Sequence, residues 1–187
     1  MENRLKTISC VSTIALAFLA SAIQAQATTL LTISPNDYHY SVHLLHPYYN
    51  YWFAQGPLVE PIAFEALKAK DSEITRCKAN ETADTIIRIK PSLFYNPQME
   101  VYHGRLVATV YSGGGNLLGT YVGKAQQRGF IGGENVTEFY LNKVYTLAMQ
   151  DLMTRLEIKP ALDNAKAENK LPCGLVGAQE EPKINFY

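Results

Sequence analysis

Residues 99–125 decide the fold, and they read MEVYHGRLVATVY over 99–111, SGGGN over 112–116 and LLGTYVGKA over 117–125. Side chains in the first stretch alternate between apolar and mixed, which is typical of a β-strand with one buried face. The face that we expect to be buried carries Tyr102, Leu106, Ala108 and Val110. The glycines accept the positive φ angles that a tight turn needs. The segment therefore predicts a β-hairpin.

Two further strands are predicted upstream of the hairpin. Residues 28–34 (TTLLTIS) form a short apolar run that ends at the turn signal Pro35-Asn36-Asp37. Residues 85–89 (TIIRI) alternate as a strand, which we expect to stop at Pro91 because proline has no backbone N–H to donate.

Two amphipathic helices are also predicted. The first covers 61–72, where Pro61 suits the first helical position and apolar side chains recur at three- to four-residue spacing. The second covers 136–158, with Asn135 and Glu138 at the spacing of a capping box. Each helix presents an apolar stripe, so each needs a sheet to cover.

This order of elements predicts an α+β fold. A small antiparallel sheet, with the hairpin at about 99–125 at its centre, carries both helices on one face. We expect a single domain over 28–158, followed by a C-terminal tail over 159–187. A chain of this length buries enough surface for one core.

Residues 1–27 have the pattern of a secretory signal peptide. Arg4 and Lys6 give a positive start, an apolar stretch follows, and Ala25-Gln26-Ala27 supplies the small residues before a cleavage site. An uncleaved anchor is the alternative, but glutamines interrupt the apolar run before it reaches the ~20 residues of a spanning helix. We therefore expect export, with the periplasm favoured over secretion or association with the outer membrane.

The charge balance argues against nucleic acid as a partner. The chain has 17 basic and 17 acidic residues, and removal of residues 1–27 leaves 15 and 16. Such a chain has no net charge to attract nucleic acid or an anionic membrane over a long range. No segment after residue 27 is long and apolar enough to cross a bilayer, so no transmembrane span is expected in the mature chain.

Cys77 and Cys173 are the cysteines that remain after export. An even number of cysteines in an oxidising compartment favours a disulfide, and one pairing is possible. A redox-active pair would need Cys-x-x-Cys spacing or a setting that lowers a thiol pKa, and the sequence shows neither. We expect a structural disulfide that ties the tail back to the domain.

Residues 38–53 are unusually aromatic, with seven Tyr, Trp and Phe residues and three histidines. The candidate partner-binding residues in this segment are Tyr48, Tyr49, Tyr51, Trp52 and Phe53. One interpretation is a cover over the core, and the other is an exposed contact surface. Five aromatic side chains among six residues cannot all point inward from one strand, so we expect some of them to be exposed.

The histidines His39, His43 and His46 raise the alternative of a zinc or copper site, because His-x-x-x-His places two imidazoles on one face of a helix. The surrounding sequence alternates as a strand, however, which would separate His39 and His43 by about 13 Å. Pro47 also disfavours a helix that reaches His46. We therefore expect no metal site and no other cofactor, and the metal-binding module stays an alternative.

Known catalytic motifs are missing from the sequence. It contains no Gly-x-Ser-x-Gly elbow, phosphate-binding loop, His-Glu-x-x-His or dinucleotide-binding glycine pattern. The glycines at 113–115 lie between two predicted strands, whereas a phosphate cradle requires a helix N-terminus behind the loop. We expect a protein that is not an enzyme, and a secreted hydrolase with a site of another kind is the alternative.

The closing amphipathic helix is preceded by three short stretches: ADTIIRI over 83–89, YHGRLVA over 102–108 and GTYVG over 119–123. Over residues 83–156 this arrangement resembles small bacterial envelope proteins of the YajG and LptE kind and related transport-auxiliary lipoproteins. The resemblance implies a helix, a strand, a hairpin and a packing helix, and a role in binding envelope components. The chain departs from this pattern because it lacks the lipid-accepting cysteine and carries the aromatic segment and the cysteine pair.

The sequence thus predicts an exported, non-enzymatic protein that binds another envelope protein or surface molecule, in support of assembly or transport. The contact is expected at the five aromatic residues between 48 and 53.

Overall fold

The computed structural model describes residues 28–46, 48, 50–78, 81–156 and 169–177. The signal peptide expected over 1–27 lies outside the described residues, as does most of the tail expected over 159–187.

The described residues form a five-stranded sheet, a separate two-stranded sheet and three helices, so the predicted α+β class is confirmed. The elements in chain order are β1 (Thr29–Thr32), α1 (Pro35–His39), β2 (Ser41–Leu44), β3 (Tyr51–Ala54), α2 (Gln55–Lys68), β4 (Thr75–Arg76), β5 (Thr85–Asn96), β6 (Val101–Ser112), β7 (Leu117–Arg128) and α3 (Glu134–Arg155). The larger sheet has the order β4-β1-β5-β6-β7, and β2 pairs with β3 in the smaller one.

The hairpin predicted at 99–125 is β6 and β7, which pair antiparallel over their length. Gly115 in the turn adopts φ +86°, a conformation that favours glycine. The alternation predicted for the first strand is confirmed, because the apolar set from Tyr102 to Val110 is buried.

The sheet is mixed, whereas the sequence analysis expected an antiparallel one. β1 pairs parallel with β5, with Leu30 opposite Ile86, and also parallel with β4. The reason is the connection: between β1 and β5 the chain travels through α1, the small sheet and α2, and this crossover returns it in the same direction.

Strand β5 continues through Pro91 to Asn96, so the predicted stop at this proline is wrong. The N–H of Thr85 donates to the carbonyl of Thr28, and alternate nitrogens along β5 therefore point toward β1. β1 ends opposite Arg88, so the nitrogen of Pro91 faces an edge without a partner strand. Proline is tolerated in a strand at such an edge.

Helix α2 begins at Gln55 rather than at Pro61, which lies inside it, and it ends at Lys68 rather than near residue 72. Gly56 in the first turn permits this early start, because a Cβ at that position would lie 2.5 Å from the ring of Tyr38. The expected turn at 35–37 is instead the short helix α1, whose first turn is capped by the Ser34 hydroxyl accepting from the backbone N–H of Asp37 at 3.1 Å.

Helix α3 begins at Glu134 and ends at Arg155. Its N-cap is Gly133, which offers no side-chain hydrogen bond, so the predicted capping box of Asn135 and Glu138 is wrong. The chain leaves the helix at Leu156, which is extended, and the predicted end near residue 158 lies outside the described residues.

Helices α2 and α3 cover one face of the large sheet, as predicted. α3 crosses β6 and β7 at two glycines: a Cβ on Gly104 would lie 3.0 Å from Val144, and one on Gly123 would overlap the carbonyl oxygen of Ala148. Side chains of both layers form the main core, which includes Leu67, Ile87, Ile89, Leu106, Leu141, Tyr145 and Leu152.

On the other face of the sheet, the described part of the tail covers one end. Cys77 and Cys173 form a disulfide with their Cα atoms 6.1 Å apart. Cys173 and Val176 pack on Ile86 and Tyr111 in a second, smaller core. Within the described residues, no helix is both long enough and apolar enough to cross a membrane.

Candidate functional site

Strands β2 and β3 form a short hairpin, which we call the aromatic hairpin (residues 41–54). Its inner side is held in the main core by Leu44 and Phe53, which are both buried. Tyr51 is half-buried on the same side, near the first turns of α3. Burial and the carboxylates of Glu134 and Glu138 raise the pKa of Tyr51. The hairpin is therefore anchored rigidly to the helical layer.

The outer side of the aromatic hairpin carries a stacked pair of rings. His43 lies opposite Trp52 in the register, and their ring centroids are 4.4 Å apart with planes inclined by 9°. Trp52 is 56% exposed, and its Nε1 donates to Oδ1 of Asn50 at 2.9 Å. Together these contacts hold a large flat ring system in water in one orientation.

Three exposed side chains extend the stacked pair. Tyr40 precedes β2, and Leu45 and Tyr48 lie in the loop that joins β2 to β3. Their exposed fractions are 61%, 60% and 87%. We define Tyr40, His43, Leu45, Tyr48 and Trp52 as the aromatic surface. Tyr40, His43, Leu45 and Trp52 line one cleft, and Tyr48 contacts His46 in the loop beside them. A group of exposed apolar side chains of this kind is typical of a protein contact site.

A cleft of about 660 Å³ separates the aromatic hairpin from the unpaired edge of β5. Trp52 and His43 form one wall, and Lys90 and Ser92 line the other. Asp37 at its end lies 3.8 Å from Lys90 and 3.6 Å from Arg88, so its carboxylate is already engaged in ion pairs. The cleft thus combines aromatic rings, a strand edge and the ion pair of Lys90 with Asp37.

The structure divides the predicted partner-binding residues into different environments. Tyr48 and Trp52 are exposed, and Tyr51 is half-buried. Phe53 is buried in the main core, because it alternates with Trp52 along β3, and it is therefore not part of the contact surface. Tyr49 lies outside the described residues.

Sequence reasoning missed Tyr40 and Leu45 as members of this surface, and it missed the cleft. The high aromatic content of residues 38–53 was a signal for Tyr40. No local signal identifies Lys90 or Ser92, since they come from β5 and reach the site through the tertiary fold.

The three histidines occupy different environments. His39 ends α1 and packs edge-on against Tyr38, so the strand predicted to contain both is wrong at this point. His43 stacks on Trp52, and Nδ1 of His46 accepts from the backbone N–H of Tyr48 at 3.2 Å. Among the residues that the structure describes, no group of three His, Cys, Asp or Glu side chains is placed to hold a metal ion.

A second concave surface lies between the helices. A groove of about 710 Å³ runs between α2 and α3 and is lined mainly by apolar atoms. Ile62 and Ala66 form one side, and Met149 and Met153 the other. Met149 is buried in the main core and Met153 is half-buried against it.

No known protein family matches this sequence, and no curated protein is similar to it at a significant level. The solved structures that are weakly similar include the following two. A dodecameric variant of PelC from Paraburkholderia phytofirmans shares 13% identity and a TM-score of 0.35, over 66% of this chain and 86% of its own. A protein from Caulobacter crescentus provisionally described as a lipoprotein shares 10% identity and a TM-score of 0.34, over 60% of this chain and 85% of its own. At these TM-scores neither protein's role is transferred to this chain.

Proposed function

We propose that this chain is an exported, non-enzymatic protein that binds another component of the cell envelope, and that the aromatic surface is its contact. The observation that carries the proposal is Trp52, which stays 56% exposed while stacked flat on His43 in an anchored hairpin. A large apolar ring held in water in one orientation costs solvation free energy that a partner recovers by covering it.

The contacts that hold His43 and Trp52 in place support binding. Tryptophan and tyrosine bury a large area at a low cost in conformational entropy, and they are the residues most often found at interface hot spots. Here the buried side chains of the hairpin, such as Leu44 and Phe53, fix the exposed ones in place. Association therefore costs little additional conformational entropy.

The chemistry of the cleft supports a binding role rather than catalysis. Its carboxylate, Asp37, accepts from Ser34 and is paired with Arg88 and Lys90. A general base must be placed to take a proton from a substrate, and Asp37 is already hydrogen-bonded to Ser34 and flanked by two cations.

Support for export comes from the Cys77–Cys173 disulfide, because such bonds persist in oxidising compartments. The pattern of residues 1–27 points to the same location.

The proposal is tested by comparing Trp52→Ala and Tyr48→Ala with Phe139→Ala, a matched control on α3 whose ring is 59% exposed. Each purified protein is cross-linked to native envelope fractions, and the captured components are quantified by mass spectrometry. We expect one component that the wild type and Phe139→Ala retain equally, and that falls at least about tenfold with Trp52→Ala.

Thermal unfolding separates binding from folding. Trp52→Ala should melt close to the wild type, whereas Phe53→Ala should lose about 3–5 kcal/mol because it leaves a cavity in the core. If Trp52→Ala unfolds as easily as Phe53→Ala, the ring is structural and the proposal fails. It also fails if Phe139→Ala reduces capture as much as Trp52→Ala does.

A further inference from the structure

The face of the large sheet that points away from the helices carries a cluster of basic side chains. Register fixes two rows across β5, β6 and β7: Ser92, Arg105 and Lys124 form one row, and Phe94, His103 and Gln126 form the next. Their neighbours along each strand, such as Leu106, are buried under the helices, so strand alternation turns these six residues outward. We define them as the basic face.

The charges on this face are only partly balanced by acids. Asp151 of α3 lies near Lys124: its Oδ2 accepts from the backbone N–H of Lys124 at 2.9 Å, and this bond together with the charges of Arg155 and Lys124 lowers the pKa of Asp151. Arg105 and Lys124 are directly opposite each other, an arrangement in which like charges destabilise a sheet. Both are exposed, and no carboxylate in the described part of the chain forms an ion pair with either. Arg128 adds a further exposed positive charge along β7, whereas Lys90 on β5 is paired with Asp37. A bound anion would relieve this repulsion.

The same face forms a groove of about 540 Å³ with groups that suit a sugar. The ring of Phe94 is 60% exposed and its centroid lies 5.7 Å from that of His103, which supports it from one side. Ser92 and Gln126 place a hydroxyl and an amide within the same groove. An exposed ring is able to pack on the apolar face of a pyranose, while hydroxyl and amide groups exchange hydrogen bonds with its hydroxyls.

The described part of the tail stops short of this groove. Nη1 of Arg88 donates to the carbonyl of Gly177 at 2.6 Å, which places the end of the described tail over Arg88 and Tyr111. Ser92 and Phe94 lie four and six residues further along β5, about 13 and 20 Å away. The groove is therefore not covered by the described residues of the tail.

We propose that the basic face binds an anionic glycan, a polysaccharide whose sugars carry carboxylate groups. Arg105 and Lys124 bind the carboxylates, Phe94 packs against a sugar ring, and Gln126 bonds to hydroxyls. A membrane surface fits less well, because in the described chain Phe94 is the one large apolar side chain exposed on this face and its neighbours are hydrogen-bonding groups. The groove shares Ser92 with the cleft beside the aromatic hairpin, but none of the side chains proposed to bind the glycan belongs to the aromatic surface.

The test uses the full oxidised chain and alginate oligosaccharides as the anionic probe, with neutral dextran oligosaccharides as the reference. Isothermal titration calorimetry at physiological ionic strength gives the Kd for the wild type, Arg105→Gln/Lys124→Gln and Lys68→Gln/Lys143→Gln. The last variant removes the same charge from exposed positions on α2 and α3. We expect alginate but not dextran to bind, with affinity reduced at least about tenfold in the first variant and within about twofold of wild type in the control.

Two further variants keep the proposal falsifiable. Phe94→Ala changes no charge and should weaken alginate binding about fivefold, since packing against the sugar is lost. Trp52→Ala should bind alginate as the wild type does, so a failure at the aromatic surface is distinguishable from a failure here. If the double variant unfolds, Arg105→Gln alone replaces it.

Several results would overturn the proposal. One is an equal loss of alginate affinity in both charge variants, which would show that net charge and not the basic face determines binding. Another is binding to phosphatidylglycerol vesicles or to single-stranded DNA but not to alginate, which would assign the face to a membrane or a nucleic acid. A third is the absence of measurable alginate binding by the wild-type chain.

Discussion

The hydroxyl of Tyr145 donates a 2.6 Å hydrogen bond to Oε1 of Gln55, and both side chains are buried. Gln55 is the first residue of α2 and follows β3 directly, while Tyr145 lies in the middle of α3. This single contact therefore joins the base of the aromatic hairpin to the longest helix.

Removal of the Tyr145 hydroxyl should destabilise the protein. Tyr145→Phe leaves the amide oxygen of Gln55 buried without a donor, which costs about 1–3 kcal/mol. Urea unfolding followed by circular dichroism measures the loss. Gln55→Met combined with Tyr145→Phe removes both polar partners and should recover most of the stability. A double variant less stable than Tyr145→Phe would show that the amide is satisfied in another way.

Alkaline pH should unfold the protein through its buried tyrosines. Burial raises the pKa of Tyr145, and burial with the neighbouring Tyr95 and Tyr140 raises that of Tyr102. The pKa values of both tyrosines in the folded protein lie above the unfolded value of about 10. The contribution of these tyrosines to the free energy of unfolding is therefore complete below pH 10, and it is lost as the pH rises from there toward the folded pKa values.

The free energy of unfolding should therefore fall steeply above pH 10 in urea titrations. Tyr145→Phe should make this fall shallower, because one raised pKa is gone, even though its stability near neutral pH is lower. Tyr48→Phe changes an 87% exposed ring and is the matched control. An unchanged pH dependence in Tyr145→Phe would contradict the assignment.

Loss of the disulfide should release the tail from the second core. The bond between Cys77 and Cys173 closes a loop with a sequence separation of 96, for which the chain-entropy model gives an upper limit of about 4–5 kcal/mol. Cys77→Ser/Cys173→Ser should lose a large part of this in thermal unfolding. Proteolysis should then cut first near residues 169–177, and early cleavage elsewhere would argue that the tail docks without the bond.

Substitution of Gly123 should disturb the contact between β7 and α3. A Cβ at this position would overlap the carbonyl oxygen of Ala148 and lie 2.7 Å from the backbone nitrogen of Leu152, so the helix has to move. Gly123→Ala should cost about 1–3 kcal/mol or more in chemical unfolding. Gly133→Ala is the control, because a Cβ there meets no atom within 4 Å. Equal losses in the two variants would contradict the close approach.

The hairpin β6–β7 was predictable because its information is local. Alternation along 99–111 and the glycines that follow specify strand, turn and buried face within one continuous segment. The helices were predictable in type but not in their starting residues. The start of α2 at Gln55 depends on Tyr38 and Tyr145, and the latter is distant in sequence.

The candidate site was predictable only in part. The aromatic content of residues 38–53 identified a region with exposed rings, and Trp52 and Tyr48 are exposed. Which rings face inward depended on the phase of β3, which buries Phe53 and exposes Trp52. A one-residue shift of a strand reverses its two faces, and no local signal fixes that phase.

The sequence by itself determined the α+β class, the central hairpin and the aromatic segment, because periodicity and turn chemistry act over a few residues. The tertiary structure alone decided the parallel pairing of β1, the cleft beside Lys90 and the basic face. Arg105 and Lys124 are 19 positions apart in a chain with equal numbers of acids and bases, and register makes them neighbours. A balanced total says nothing about how charge is distributed, since strand pairing and alternation place these like charges on one face.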